Sequence, residues 1–496
     1  MNPKTIVNIL SALLVLTGLS MLVPMMIALG YDEPDFPGYI KSMLICFIIG
    51  LPFWFLTKNS RSLKSKDGFA IVSLAWLIVA FAGSLPFYLS DVIPNFTDAW
   101  FESMSGVTTT GATIIGNPNT LPNLPNGIES MPHGILFWRS FLQWIGGMGI
   151  IVFTIAILPL LGVGGVQLFK AEVPGPVADK IRPRVKETAK ILWMVYIGFT
   201  FLQFLLLGFA GMPWFDSVCH AFTTMPTGGF STQNASIASY DNPLIHYIII
   251  FFIFIAGVNF TLHFKALTGN IRGYFKDYEF NVYLSIILLS TLFIFINISS
   301  ARSDWSHDSF LISLFQSVAI LTGTGYANAD YELWPFFSQY LLLILMFFGA
   351  MGSSTSGGMK LTRIILLIKY AVTETRRMLH ARAIIPIKIG KRIISDEIVR
   401  NTLGFSLIYL SVFVLTALVL SGLNLDLQSA IGASASAIGN IGPAFGAFGP
   451  TDNYALLHPL GKWLLTFCML LGRLETVSYT HLRAHETEAD LVCRLL

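Results

Sequence analysis

Charge is scarce in this chain. Only 12% of its 496 residues are Asp, Glu, Lys or Arg, against ~25% in an ordinary soluble domain, so water is not the main solvent of the fold. Cysteine is scarce as well: Cys46, Cys219, Cys468 and Cys493 fall singly with no CxxC spacing. That pattern gives neither a metal site nor a redox pair and reads as small packing residues. HExxH and paired intramembrane carboxylates are both missing, which argues against an enzyme and leaves no bound cofactor to expect. Gly352 to Lys360 has glycine where GxxxxGK[ST] requires lysine, and no strand precedes it, so nucleotide binding there is rejected.

Apolar length is what the chain has. Hydrophobic residues make up 54% of it, and runs of about 20, enough to cross the ~30 Å hydrocarbon layer, recur from Ile6 to Leu471. The first, Ile6 to Leu29, exceeds a signal-peptide core and lacks a small-residue cleavage site before Tyr31 to Pro34, so it reads as a retained span. Basic residues crowd three connections: Lys58, Arg61, Lys64 and Lys66; Lys180, Arg182, Arg184 and Lys186; and Arg376, Arg377, Arg382, Lys388, Lys391 and Arg392. The intervening connections are acidic or neutral, as at Asp32, Glu33 and Asp35, at Asp91 and Asp98, at Asp304 and Asp308 and at Asp330 and Glu332. Basic loops stay cytoplasmic, which places the N-terminus, next to Lys4, on the cytoplasmic side and reads the clusters as topology signals, with no nucleic-acid role.

Two plain spans, roughly 6–29 and 39–57, come first, within residues 1–66. A different unit then recurs over 67–170, 171–275, 276–395 and 396–475: an apolar span, a short amphipathic segment, a Thr/Gly/Asn-rich stretch and a second apolar span. Aligned without gaps, the polar stretches Ser105–Thr113, Thr223–Ser231, Ala319–Ala327 and Ser436–Ala444 put a glycine in one column four times: Gly111, Gly229, Gly325 and Gly442. The segments before them, Asp98 to Val107, Asp216 to Met225, Asp308 to Leu321 and Asp426 to Ile438, are too short to cross and read as half-membrane helices. Non-helical backbone at membrane depth must be buried in protein or line water, so four such excursions imply a shared polar axis. The fold class is an all-α integral membrane protein with four fused helix–loop–helix repeats around one pore, preceded by two extra spans.

A dehydrated potassium ion recovers its hydration energy from oxygens, and rings of backbone carbonyls supply them without fixed negative charge. Aiming successive carbonyls one way requires backbone angles that glycine reaches without a Cβ penalty. The negative C-terminal ends of the half-helices add a field that favours cations.

This loop pattern, the two N-terminal spans and a broken third-repeat helix resemble the Trk/Ktr/HKT superfamily, and within it the membrane subunits of bacterial Trk potassium uptake systems, over about residues 1–475. The resemblance implies that Gly111, Gly229, Gly325 and Gly442 form a potassium selectivity filter, with Thr110, Gly228, Thr324 and Ile441 in the adjoining positions and Thr109 before them in the first loop. Two residues on stand Thr113, Ser231, Ala327 and Ala444 rather than the second glycine of potassium-channel filters, so fewer ion-binding rings and weaker discrimination among monovalent cations, rubidium and sodium included, are expected.

From Phe336 to Tyr370 the chain is mostly apolar over a length that as one helix would reach about 52 Å, more than a membrane needs. Gly349-Ala-Met-Gly352-Ser353-Ser354-Thr355-Ser356-Gly357-Gly358 interrupts it, because four glycines and small polar residues do not hold a regular helix. The family has an intramembrane gate here, and its pore-facing arginine falls on Arg473. Glu102 and His220, each nine residues before a column glycine, read as hydrogen-bonded supports behind the filter. Arg139, beside Trp138 and Trp144, reads as an interfacial anchor.

Past Glu475 the polar run from Thr476 departs from the family pattern, and 476–496 is set apart as a non-native tail. The resemblance also implies a homodimer in membrane lipid and a cytosolic nucleotide-binding regulatory subunit. The alternative to a gated channel is a secondary transporter coupling potassium to protons or sodium. Such folds usually carry inverted repeats and buried midplane carboxylates, whereas these repeats run parallel in polarity and the central loops carry no carboxylate.

Overall fold

Apolar runs without a polar face find no stable place in water, and in lipid every backbone group must be satisfied within the segment, so these runs become helices. The computed structural model describes residues 2–58, 65–116, 121, 123–147, 149, 185–380, 385–390 and 392–474. The basic residues Arg61, Lys64, Lys66, Lys180, Arg182, Arg184, Lys186, Arg382, Lys391 and Arg392, as side chains, and the tail from Glu475 lie outside the described residues.

The N-terminal hairpin is α1 (Pro3–Ser20) with α2 (Leu22–Gly30), followed by α3 (Phe36–Leu56). The first repeat contributes α4 (Ser65–Leu89), α5 (Phe96–Val107) and α6 (His133–Gly147); the second α7 (Val185–Phe209), α8 (Trp214–Thr224), α9 (Pro243–Ala256) and α10 (Phe260–Leu267). The third follows a short α11 (Gly273–Lys276) with α12 (Tyr278–Arg302), α13 (His307–Leu321), α14 (Phe336–Met346) and α15 (Leu361–Leu379). The fourth has α16 (Asp396–Gly422), α17 (Leu427–Gly439) and α18 (Pro459–Leu474). Between α15 and α16 sits an antiparallel hairpin, β1 (Lys388–Ile389) with β2 (Arg392–Ile393), a four-residue exception to the all-α expectation. Among the described residues, 6 helices are long and apolar enough to cross a membrane, or up to 7 if α9 and α10 count as one bent span.

The half-helices α5, α8, α13 and α17 fall within a few residues of their sequence-based bounds. Each carries an aspartate at its start, Asp98, Asp216 and Asp308 in the first turn and Asp426 as N-cap, where negative charge complements the helix dipole. Small residues let the hairpin pack closely: a Cβ on Gly18 would lie 2.9 Å from Cys46 Cβ, and one on Gly50 2.6 Å from Val15.

The core divides around the axis. One cluster joins the hairpin to repeats 1 and 4, from Leu13 and Trp76 through Trp138 to Leu465 and Met469. The other joins repeats 2 and 3 and reaches the fourth loop at Ile441. Lys462 on α18 donates to Asp98 on α5 and, at 2.8 Å, to Ala455 O, an ion pair buried between the first and last repeats.

One helix departs from expectation. The second span of repeat 2 is broken as well as that of repeat 3: α9 and α10 meet at 103°. Asn259 caps α10 by accepting from Thr261 N at 2.8 Å, and a Cβ on Gly257 would run into Tyr283 Oη and stand 2.9 Å from Thr322. An asparagine N-cap two residues after a close-packed glycine ends one helix and starts another, a signal hidden inside the apolar run.

Candidate functional site

The four half-helices end identically. The N–H of Thr110 donates to Ser105 O at 2.8 Å, Gly228 to Thr223 O at 2.9 Å, Thr324 to Ala319 O at 2.8 Å and Ile441 to Ser436 O at 3.0 Å, each five residues back. The preceding residues, Thr109, Thr227, Gly323 and Asn440, donate three residues back, to Gly106 O, Thr224 O, Ile320 O and Ala437 O. This pair of bonds is the Schellman ending, which needs a left-handed residue at its turn, and φ there is 55°, 57°, 68° and 52°. Two residues on, Gly111, Gly229, Gly325 and Gly442 are again left-handed, at 82°, 77°, 74° and 102°. The residue between each pair has negative φ, and such alternation in the sign of φ aims successive carbonyls toward one side.

The loops close into a ring. A Cβ on Gly111 would run into Gly228 O, one on Gly229 into Thr324 O and one on Gly325 into Ile441 O. A Cβ on Gly442 would stand 2.7 Å from Thr110 O, returning to the first loop. Glycine is therefore required for its φ and for the carbonyl of the next repeat, which occupies the space a side chain would take. Among the described residues, no donor is hydrogen-bonded to the buried carbonyls of Thr110, Thr324 or Ile441. Buried carbonyls are rarely left so. All four glycines line one vestibule of about 410 Å³, with Glu129 and Asp452 on its walls, acidic groups that raise local cation concentration. Near this side, burial holds the Glu332 carboxyl above its ordinary range, and the hydrogen bonds from Ser429 hold Asp426 below it.

The interrupted segment of repeat 3 lies against the other side of the ring. Thr355 Oγ1 donates to Met225 O at 3.0 Å and to Ala256 O at 3.2 Å. A Cβ on Gly357 would lie 2.6 Å from Asn440 Cβ and 2.9 Å from Gly439 O. Its ends pair with each other, Gly349 N to Met359 O at 2.7 Å and Leu361 N to Ala350 O at 3.1 Å, while Gly358 turns at φ 68°. Met351 N reaches Gly257 O, and Ser353 O takes Phe260 N, so the break between α9 and α10 supplies the groups that dock the loop. Gly352, Ser354 and Ser356 complete it, Ser354 Oγ donating to Met351 O and Ser356 Oγ accepting from Ala350 N. Arg473 bridges loop and pore wall: it donates to Thr355 O at 2.8 Å and to Gly146 O and Gly147 O at 2.9 and 3.1 Å.

The model of the TrkH family, described as a cation transport protein, matches residues 37–494. The Trk system potassium uptake protein TrkH of Salmonella typhimurium is 40% identical, covering 96% of this chain and 97% of that protein; that of Escherichia coli K12 is 39% identical over the same shares. The crystal structure of the potassium transporter TrkH from Vibrio parahaemolyticus superimposes with a TM-score of 0.84 at 38% identity, covering 97% of this chain and 98% of that one. The chain belongs to the TrkH family. It is a transport protein, not an enzyme, and the family match extends into the segment 476–496 that sequence reasoning set apart.

Around the ring of this TrkH-family protein, supporting side chains differ in part from expectation. Glu102 and His220 are buried supports: Glu102 accepts from Thr113 Oγ1 and Ile114 N, and His220 Nε2 meets Ser231 Oγ at 3.0 Å. Arg139 is no interfacial anchor. It is 2% exposed, pairs with Glu102 at 2.6 Å, donates to Ser231 O and lies 3.6 Å over the Phe230 ring. One turn on, Gln143 donates to Gly228 O at 2.7 Å and accepts from Phe230 N; its spacing from Arg139 on an apolar helix was the available signal. Asn440, also missed, donates to Thr110 Oγ1 and Met469 O, both at 2.9 Å, and its type was the signal, because asparagine tolerates the left-handed turn.

Thr109 and Thr227 are β-branched residues in left-handed backbone, a strain of about 1–3 kcal/mol each, and Thr109 Oγ1 is buried without a partner. Thr109→Gly is expected to raise stability by about 1 kcal/mol, read as a higher thermal unfolding midpoint in detergent. An unchanged or lower midpoint would remove strain from the description of this loop.

Proposed function

We propose that this protein carries potassium across the bacterial inner membrane through a gated, channel-like pore whose selectivity filter is the four-loop ring. The observation that carries this is the closed cycle of glycine-to-carbonyl contacts, with buried carbonyls that the protein leaves for another partner. Neutral carbonyls aimed at one axis suit a weakly hydrated monovalent cation, and a cage without carboxylates does not trap it. The potassium names of the TrkH relatives support the same cargo.

The oxygens that hold the ion are those of Thr110, Gly228, Thr324 and Ile441, with Gly111, Gly229, Gly325 and Gly442 giving them room and Thr109 setting the turn below. The gate is Gly349 to Gly358, held across the passage by Arg473. An arginine has five donors and no acceptor, so it ties Thr355 O to the end of α6 while its charge opposes a cation in a low-dielectric passage. The basic connections put the N-terminus in the cytosol, where a nucleotide-binding regulatory subunit docks, and two copies form the working dimer.

Gly229→Ser is expected to lower rubidium-over-sodium discrimination in proteoliposome uptake roughly ten-fold, about 1.4 kcal/mol, with the protein still folded. Unchanged competition between the two ions would remove the ring from selectivity. Arg473→Ala is expected to raise basal rubidium flux several-fold, since a hydrogen bond from a charged group contributes about 1.5–3 kcal/mol. Arg473→Lys separates charge from geometry: flux like the alanine variant assigns the restraint to the planar fork, and flux like the parent assigns it to charge. Alanine flux at or below the parent, at equal protein in the membrane, would leave Arg473 without a gating role.

A further inference from the structure

Glu279 lies in the first turn of α12, remote from the vestibule, because the other end of α12 leads into the half-helix α13. One of its oxygens, Oε1, accepts from three donors: Gly352 N at 2.8 Å, Thr362 N at 3.1 Å and Thr362 Oγ1 at 2.5 Å. Gly352 is near the beginning of the interrupted segment and Thr362 just past its end. Both ends of the loop hang on one atom of another helix.

The helix after the loop has a matching need. Its N-cap is Lys360, which makes no side-chain cap hydrogen bond and brings positive charge to an end that favours negative charge. Lys360 Nζ is turned into the loop instead, donating to Ser354 O at 3.3 Å, to Ser354 Oγ at 3.4 Å and to Ser356 O. With Arg473 on Thr355 O, two cations hold three consecutive carbonyls of the loop. Glu279 supplies in trans the anionic cap that α15 lacks, so the loop is clamped by cations from within and by a carboxylate from outside.

We propose that Glu279 is the latch of the gate, a positioning residue that holds the loop across the pore and passes movement of the far surface to it. The proposal rests on reading Gly349 to Gly358 as the gate. The route to the surface is short. The Tyr278 ring lies under the Lys369 ammonium at 4.6 Å, and a Cβ on Gly390, at the turn of the β1–β2 hairpin, would stand 3.6 Å from Tyr278 Cβ. The linker before it is exposed at Ile271 and Phe275. Whatever pulls on hairpin or linker moves Tyr278 and Glu279 together and withdraws the shared acceptor from both ends of the loop.

Rubidium uptake into proteoliposomes tests this with Glu279→Ala, Glu279→Gln and a variant lacking Ser353–Ser356. Glu279→Ala is expected to raise flux on the order of ten-fold and Glu279→Gln, which keeps a neutral acceptor, roughly three-fold, both with parental rubidium-to-sodium competition. Altered competition would count against the latch, since it reports damage to the filter. If the shortened loop raises flux and Glu279→Ala does not, the latch is overturned and the gate stands; if neither raises it, the gate falls and takes the latch with it. Should Glu279→Ala fail to insert, Glu279→Gln decides: a rise supports the latch and parental flux overturns it.

Discussion

The structure depends on one constraint: each column glycine gives the place of its side chain to the carbonyl of the next repeat. Gly111 faces Gly228 O, Gly229 faces Thr324 O, Gly325 faces Ile441 O and Gly442 faces Thr110 O, so no loop takes its position without its neighbour. The ring requires the half-helices to stop at one depth, which their shared Schellman endings achieve, and side chains behind the loops to keep the carbonyls aimed inward. Arg139 and Glu102 pair with each other, and Arg139, Gln143 and His220 each bond to the second loop, at Ser231 O, Gly228 O and Ser231 Oγ, in a medium where an unpaired charge is costly.

The interrupted loop shows the same logic with opposite polarity. Helix breaks in a membrane free backbone groups that must be re-satisfied, and here two breaks satisfy each other: the α9–α10 junction offers Ala256 O and Gly257 O to the loop between α14 and α15. The carbonyls of Ser354, Thr355 and Ser356 are held by Lys360 and Arg473. Cations of the protein thus hold oxygens beside a ring in which the carbonyls of Thr110, Thr324 and Ile441 accept no hydrogen bond among the described residues.

Much of this was legible in the sequence because lipid imposes a few strong rules. Length and apolarity gave the spans, half-length segments gave the half-helices, and four-fold recurrence gave the glycine column. The left-handed turn two residues earlier was not legible, since it is filled by Thr109, Thr227, Gly323 and Asn440, two threonines, a glycine and an asparagine that are all alike only in backbone. The break in repeat 2 was hidden for a related reason: Gly257 and Asn259 interrupt an apolar stretch too briefly to disturb its hydropathy. Arg139 read as an anchor because its neighbours are tryptophans, and nothing local tells a buried ion pair from an interfacial one when the partner, Glu102, is on another helix. Glu279 and Lys360 escaped notice as ordinary charges near span ends, where such residues are common.

The central claim is that the carbonyls of Thr110, Gly228, Thr324 and Ile441 hold the transported cation on the axis. Anomalous diffraction from crystals grown in rubidium, with sodium-grown crystals as the control, measures this directly. The account requires a rubidium peak within the ring, at the level of those four oxygens and between the column glycines, and its loss in Gly229→Ser crystals. A peak bound instead at Glu129 or Asp452 of the vestibule, with the ring empty, would contradict it.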